Sequence, residues 1–269
     1  AIDGAGPAAR RPMPRTNRPD SRGIVRTGTA GWSIASAHRH LAGAGASGLE
    51  RYATLFDAVE INSSFYRPHR RETYARWAGS VPAHFRFSVK LPRTITHEHA
   101  LRGALPLVDG FLAQAGALGE RLGCLLVQLP PSLAFDARVA GTFFAGLRRR
   151  WDGGVACEPR HASWFEARVD ALWQRHRIAR VAADPARQPG AAVPGGEASL
   201  RYWRWHGTPR IYYSAYDDDA IAALAGRVRA SLVPGGEAWV VFDNTAHGHA
   251  TPNAAAFQEQ VRRSAGEPA

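Results

Sequence analysis

The chain is predicted to be α/β, a single TIM-like (β/α)8 barrel, and three observations predict it. Eight short apolar runs begin near Ile24, Ala58, Phe85, Gly123, Val155, Ile178, Leu200 and Ala238. Segments of mostly helical pattern separate most of them. The runs end in polar residues: Gly28, then Glu60 with Asn62, Lys90, Gln128, Glu158 with Arg160, Asp184, Arg204 with His206, and Asp243 with Asn244. In such barrels the βα loops converge at the C-terminal ends of the strands, and catalytic residues sit there.

The length of 269 residues suits one barrel domain of about 250 residues plus a tail. Residues 23–265 are assigned to the domain. Residues 1–22 contain Arg10, Arg11, Arg15, Arg18 and Arg22 among several prolines. They lack the apolar stretch of a signal peptide and read as a disordered Arg/Pro-rich tail. No apolar run approaches the roughly 18 residues of a membrane helix. Cys124 and Cys157 lie inside predicted strands without metal or redox spacing and read as buried thiols, which suits a reducing cytoplasm.

The elements follow in order. Ile24-Val25-Arg26-Thr27-Gly28 is the first strand, and small residues after it through Gly31 permit a tight turn before Trp32-Ser33. Leu49, Tyr52, Ala53 and Phe56 share one face of a helix. In the second strand Val59 and Ile61 alternate with Ala58, Glu60 and Asn62, so the polar set points into the barrel mouth. In the third, Phe85, Phe87 and Val89 alternate with Arg86, Ser88 and Lys90. Charges facing the interior need partners, and Arg86 and Lys90 are expected to meet carboxylates there. The loop Pro92 to His97 brings a histidine to the same mouth.

Leu125 to Leu129 stops at Pro130-Pro131, and a helix is expected from about Asp136 to Arg150. The fifth strand ends in Glu158-Pro159-Arg160-His161, with Ser163 a candidate cap for the next helix. The sixth ends at Asp184-Pro185. The following segment to Glu197 is too rich in Pro and Gly for a helix, so the sixth helix should be missing or reduced. The seventh strand places Tyr202, Arg204 and His206 on one face and Trp203 and Trp205 on the other. The eighth, Trp239 to Asn244, precedes a final helix from about Pro252.

Lys90 is the only lysine beside many arginines. Arginine cannot shift its pKa or form a Schiff base, so a retained lysine at a strand end is a functional candidate. The net charge of +11 suits polyphosphate partners, yet the arginines are spread along the chain in a compositional pattern and not gathered in one stripe.

Several motifs together resemble the YecE-like family, catalogued as a domain of unknown function (72). They are Gly28-Thr29-Ala30-Gly31-Trp32, Val59 to Tyr66, Phe87 to Lys90 with Thr96-His97, Glu158-Pro159-Arg160-His161 with Ser163-Trp164, Arg204-Trp205-His206-Gly207, and Phe242-Asp243-Asn244-Thr245. They span about residues 24–260. The resemblance implies a TIM-like barrel and supplies no reaction. The chain departs from the family pattern between Ile34 and Gly48, where Ala, Gly and His replace aromatics.

Three functional readings follow. The first is acid–base chemistry on an anionic or sugar-like small molecule, with Glu60, Lys90, Glu158, His206 and Asp243 as catalytic candidates. Trp32, Asn62, Tyr66, His97, Gln128, Arg160, His161, Asp184, Arg204 and Asn244 are its ligand-binding candidates, and it calls for no cofactor or metal. The loops His206-Gly207-Thr208 and Asn244-Thr245 fall where barrels often bind phosphate. The second is a divalent-metal hydrolase or nuclease-like barrel acting on nucleic acid, with ligands from Glu60, Glu158, Asp184, His206 and Asp243. The third is a ligand-binding barrel without catalysis, its charges paired as part of the fold.

Overall fold

The computed structural model describes residues 23–265; the expected tail, residues 1–22, lies outside the described residues. In chain order the elements are β1 (Ile24–Thr29), α1 (Gly48–Tyr52), β2 (Ala58–Ile61), α2 (Ser63–Tyr66), α3 (Arg71–Gly79), β3 (Arg86–Lys90), α4 (Leu105–Ala115), β4 (Leu122–Gln128), α5 (Ala137–Arg148) and β5 (Gly154–Glu158). Then follow α6 (Asp170–Arg175), β6 (Ala179–Arg180), β7 (Ala182–Asp184), β8 (Gly195–Gly196), β9 (Leu200–Trp205), α7 (Asp218–Ser231), β10 (Glu237–Phe242) and α8 (Ala250–Ala265). All eight apolar runs form strands. The sixth is split into β6 and β7 at Val181.

The strands form two sheets, β1-β10-β9-β7 and β2-β3-β4-β5-β6-β8. Every pairing is parallel except the short β6–β8 contact. The sheets meet at two seams. At one, Ala30 bridges Glu60 in parallel and the Gly31 N–H donates to the Glu60 carbonyl at 2.8 Å. Lower in this seam the ladder is replaced by a side chain: the Tyr52 hydroxyl accepts from the Thr29 N–H at 2.8 Å and donates to the Ala58 carbonyl at 3.0 Å. At the other seam the Val181 N–H donates to the Cys157 carbonyl, so one continuous segment pairs with β5 through β6 and with β9 through β7.

Strand alternation divides the core. Val59, Ile61, Phe87, Val89, Leu125, Val127, Trp203, Val240 and Phe242 pack with the helices in one large cluster. The alternate residues Ala58, Cys124, Leu126, Ala156, Ala179, Val181, Leu200, Tyr202, Trp239 and Val241 form a second cluster that draws on both sheets. Because side chains alternate faces along a strand, the partners of the helices and the inner residues are set by parity alone.

Two helices show why their sequences end where they do. Asp136 caps α5 by accepting from the N–H groups of Arg138 and Val139, each at 3.0 Å, an interaction worth about 1 kcal/mol. Ala140, Phe143, Phe144 and Leu147 then bury one face. In α7, Asp217 accepts from the Ala220 N–H, Asp218 and Asp219 complement the helix dipole, and Ile221, Leu224, Ala225 and Val228 are buried. No α-helix follows β7; Pro189–Ala192 makes a single 3-10 turn. Ser163 does not cap a long helix. It sits in the 3-10 turn Ala162–Phe165, whose cap is the His161 ring, and its hydroxyl accepts from the Phe135 N–H. Among the described residues no helix is long and apolar enough to cross a membrane.

Candidate functional site

Parallel strands put their C-terminal ends on one edge, and there Arg204 of β9 is 1% exposed and fully engaged. Its Nε and Nη2 donate to the two carboxylate oxygens of Glu60 on β2, at 3.0 and 2.7 Å. Nη1 donates to Glu158 Oε2 on β5 at 2.5 Å, and Nη2 also reaches Asp243 Oδ2, just past β10, at 3.1 Å. The planar fork of arginine suits such multiple engagement. Arg160 holds the other oxygen of Glu158 through Nε and Nη2 at 3.1 and 2.9 Å. Below, Tyr202 donates to Glu60 Oε2 at 2.8 Å and lies 2.7 Å from Ser88 Oγ, which must donate to it because a phenol has one proton.

His206 completes the cluster. Its Nδ1 is 3.0 Å from Asp243 Oδ2. Its Nε2 lies 3.4 Å from Glu158 Oε1, without the alignment of a hydrogen bond, and is buried with no hydrogen-bond partner among the described residues. The His206 residue lines a cavity of about 300 Å³ together with Glu158, Arg160, Ala183, Arg187 and Tyr212.

The electrostatics follow from this packing. Burial pushes the Glu158 carboxyl up, but Arg204, His206 and Arg160 outweigh it and hold it well below the usual carboxylate range. Asp243 is likewise held down, burial being overcome by the His206 hydrogen bond and Arg204. In His206 burial and Arg204 disfavour the proton, yet Glu158 and the Asp243 hydrogen bond raise its pKa overall. Lys90 differs from the sequence expectation. It makes no ion pair with the carboxylates within 4 Å; its Nζ stands 4.1 Å from the centroid of the Phe65 ring. Burial and the Arg204 charge lower its pKa to about 8, against the pull of Glu60, Glu158 and Asp243. Arg204 has taken the central position among the carboxylates, which is why Lys90 was left an aromatic face. Arg86 also pairs with no carboxylate among the described residues: it donates to the Ala83 and Phe85 carbonyls.

The other expected site residues divide into two groups. Trp32 and Asn62 line a second cavity of about 510 Å³ beyond β1 and β2. Gln128 is buried beside Glu158 in the β4–β5 register. His97 sits edge-on to Phe65 with Nδ1 at 2.8 Å from Thr96 Oγ1, and burial together with Lys90 lowers its pKa. The remainder serve local structure. Asp184 Oδ1 accepts from Tyr216 and Thr208, Asn244 Nδ2 donates to Ser214 and Asn253, and His161 Nδ1 accepts from the Ser163 N–H. Tyr66 is 74% exposed against Phe65.

Internal contacts engage the loops expected to bind phosphate. The Gly207 N–H donates to Tyr216, the Thr208 hydroxyl to Asp184, and the Asn244 Nδ2 to Ser214 and Asn253, so these donors are already used. Among the described residues no group of three or more His, Cys, Asp and Glu is arranged to hold a metal ion; Glu60, Glu158 and Asp243 turn their oxygens to Arg204.

Tyr202 and Ser88 were not singled out from sequence, although strand parity with Arg204 and Lys90 places them inside. Arg187 lies in the Pro/Gly-rich segment, where no periodicity points anywhere. One compositional signal was available: of eleven histidines, only His84 and His176 lie on segments leading into strands, and the other nine follow strand ends.

Fold and site together define an α/β protein of parallel-dominated sheets with a buried arginine–carboxylate–histidine cluster at the C-terminal edge of its strands. The chain matches the family model "Protein of unknown function DUF72" over residues 26–269, and it belongs to that family, as the motif resemblance implied. The UPF0759 protein YecE of Escherichia coli (strain K12) is 32% identical over 160 residues, 57% of this chain and 58% of that protein. The match thus spans little more than half of that relative. The UPF0759 protein YunF of Bacillus subtilis (strain 168) is 27% identical over 127 residues, 44% of each chain. A DUF72 family protein of Enterococcus faecalis V583 superposes with a TM-score of 0.74 at 23% identity, covering 89% of this chain and 96% of that one. A DUF72 family protein of Thermotoga maritima MSB8 gives 0.72 at 24%, covering 89% and 99%. At these identities the structural likeness speaks for the fold.

Proposed function

We propose that residues 23–265 form one TIM-type barrel domain acting as an acid–base enzyme on a small anionic molecule. Barrel closure is supported by the two seams and by the inner cluster shared between the sheets. The observation that carries the activity is His206: Asp243 fixes Nδ1, Nε2 has no hydrogen-bond partner among the described residues, and the residue lines the cavity. That leaves one defined position for a substrate atom that takes or gives a proton. Glu158 and the Asp243 hydrogen bond raise the His206 pKa, which favours the ring as a proton donor, so the first proton moves from His206 to the substrate. Arg160 and Arg187 supply the positive charge of the cavity, which selects an anionic group. Glu158, held ionised, stabilises the imidazolium. Lys90, with a pKa near 8, supplies a second proton-exchanging group at the same edge. The buried thiols of Cys124 and Cys157 agree with a reducing, cytoplasmic setting.

The test is thermal stabilisation by phosphate compared with chloride at matched ionic strength. At 100 times its dissociation constant phosphate should add about 2.7 kcal/mol, or about 5–11 °C in Tm for a domain of this size. The increment should vanish in Arg187→Ala, whose exposed side chain leaves the fold intact. It should change its pH dependence in His206→Gln. Equal Tm values in the two salts overturn the reading.

A further inference from the structure

The cavity beyond β1 and β2 is separate from the one that His206 faces, and its lining has a different chemistry. One wall is the Trp32 ring, held edge-on by Trp77 with centroids 4.9 Å apart, with Ile34 beside it. The polar residues of the lining include Asn62 and the exposed Arg39 and Arg51. Asn62 makes no side-chain hydrogen bond, and its Oδ1 is buried without a partner among the described residues. Arg39 has no carboxylate partner among them, Arg51 donates only to the Gly45 carbonyl at 2.7 Å, and no Asp or Glu lines the cavity.

We infer that this cavity is a second binding site, for a phosphorylated sugar. Guanidinium groups without a carboxylate partner among the described residues match the phosphate. The Asn62 amide lines the cavity without a side-chain hydrogen bond among the described residues and suits a sugar hydroxyl, and an aromatic wall takes the C–H face of a ring. About 510 Å³ is far more than inorganic phosphate fills, and it falls within the ordinary range of small-molecule sites. The assignment does not use His206 or its cavity.

Calorimetric titration of the full chain carrying Arg187→Ala tests it with the other cavity silenced. Glucose 6-phosphate should bind at least tenfold tighter than glucose or inorganic phosphate. Adding Arg39→Ala should abolish the advantage over glucose, and adding Asn62→Ala the advantage over inorganic phosphate. His206→Gln in the same background should leave all three affinities unchanged. Absence of glucose 6-phosphate binding, indifference to Arg39→Ala and Asn62→Ala, or tighter binding of adenosine monophosphate each overturns the assignment. A failed phosphate shift at the His206 cavity leaves these expectations standing.

Discussion

Replacing Arg204 by methionine keeps much of the side-chain volume and deletes a charge that makes four hydrogen bonds to Glu60, Glu158 and Asp243. Three carboxylates would then stay buried around an uncharged thioether. Breaking a buried ion pair by removing one partner costs about 3–5 kcal/mol, which for a domain of this size lowers Tm by about 6–20 °C. The pH response should also change. Glu158 and Asp243 have depressed native pKa values, so their contribution is present above the unfolded carboxylate pKa of about 4 and is lost as pH falls through the native values. Without Arg204, burial, the largest influence on both, raises them. The variant should therefore gain stability as pH falls from 7 toward 5, while the native protein does not. Urea unfolding at several pH values, with slopes compared to exclude a change in compactness, measures both effects. A loss below about 1 kcal/mol, or a pH profile parallel to the native one, would refute the claim that Arg204 organises this cluster.

Two further outcomes are expected. Lys90 is protonated more readily unfolded than folded between pH 8 and its ordinary value of 10.5, so stability should rise with pH across that window. Lys90→Met should flatten that rise and increase stability at pH 7 by at most about 3 kcal/mol; an unchanged unfolding profile would count against the lowered pKa. Gly28→Ala would place a Cβ 2.1 Å from the Ala58 carbonyl oxygen, and the resulting shift at the β1–β2 seam should cost about 1–3 kcal/mol. A neutral result by thermal unfolding would mean that the seam tolerates separation.

What the sequence determined by itself was what period and parity can carry. Eight apolar runs became strands because their alternation has only one way to bury one face. The same parity put Glu60, Lys90, Arg204 and His206 on the inner side and Trp203 and Trp205 on the outer side. The Pro/Gly-rich stretch after Asp184 could not become a helix, and it did not. Tertiary structure alone decided the partners. Strand parity says that a charge faces inward but not which opposite charge it meets, since that depends on contacts between residues more than 140 positions apart, as for Arg204 and Glu60. So Arg204 took the carboxylates and Lys90 the Phe65 ring, Asp184 and Asn244 bonded to the β9–α7 loop and α8, and His161 bonded within its own turn. Neighbouring charge then outweighed burial in His206 and Glu158, and burial prevailed in Lys90, because desolvation and neighbouring charge exist only once the chain has closed around them.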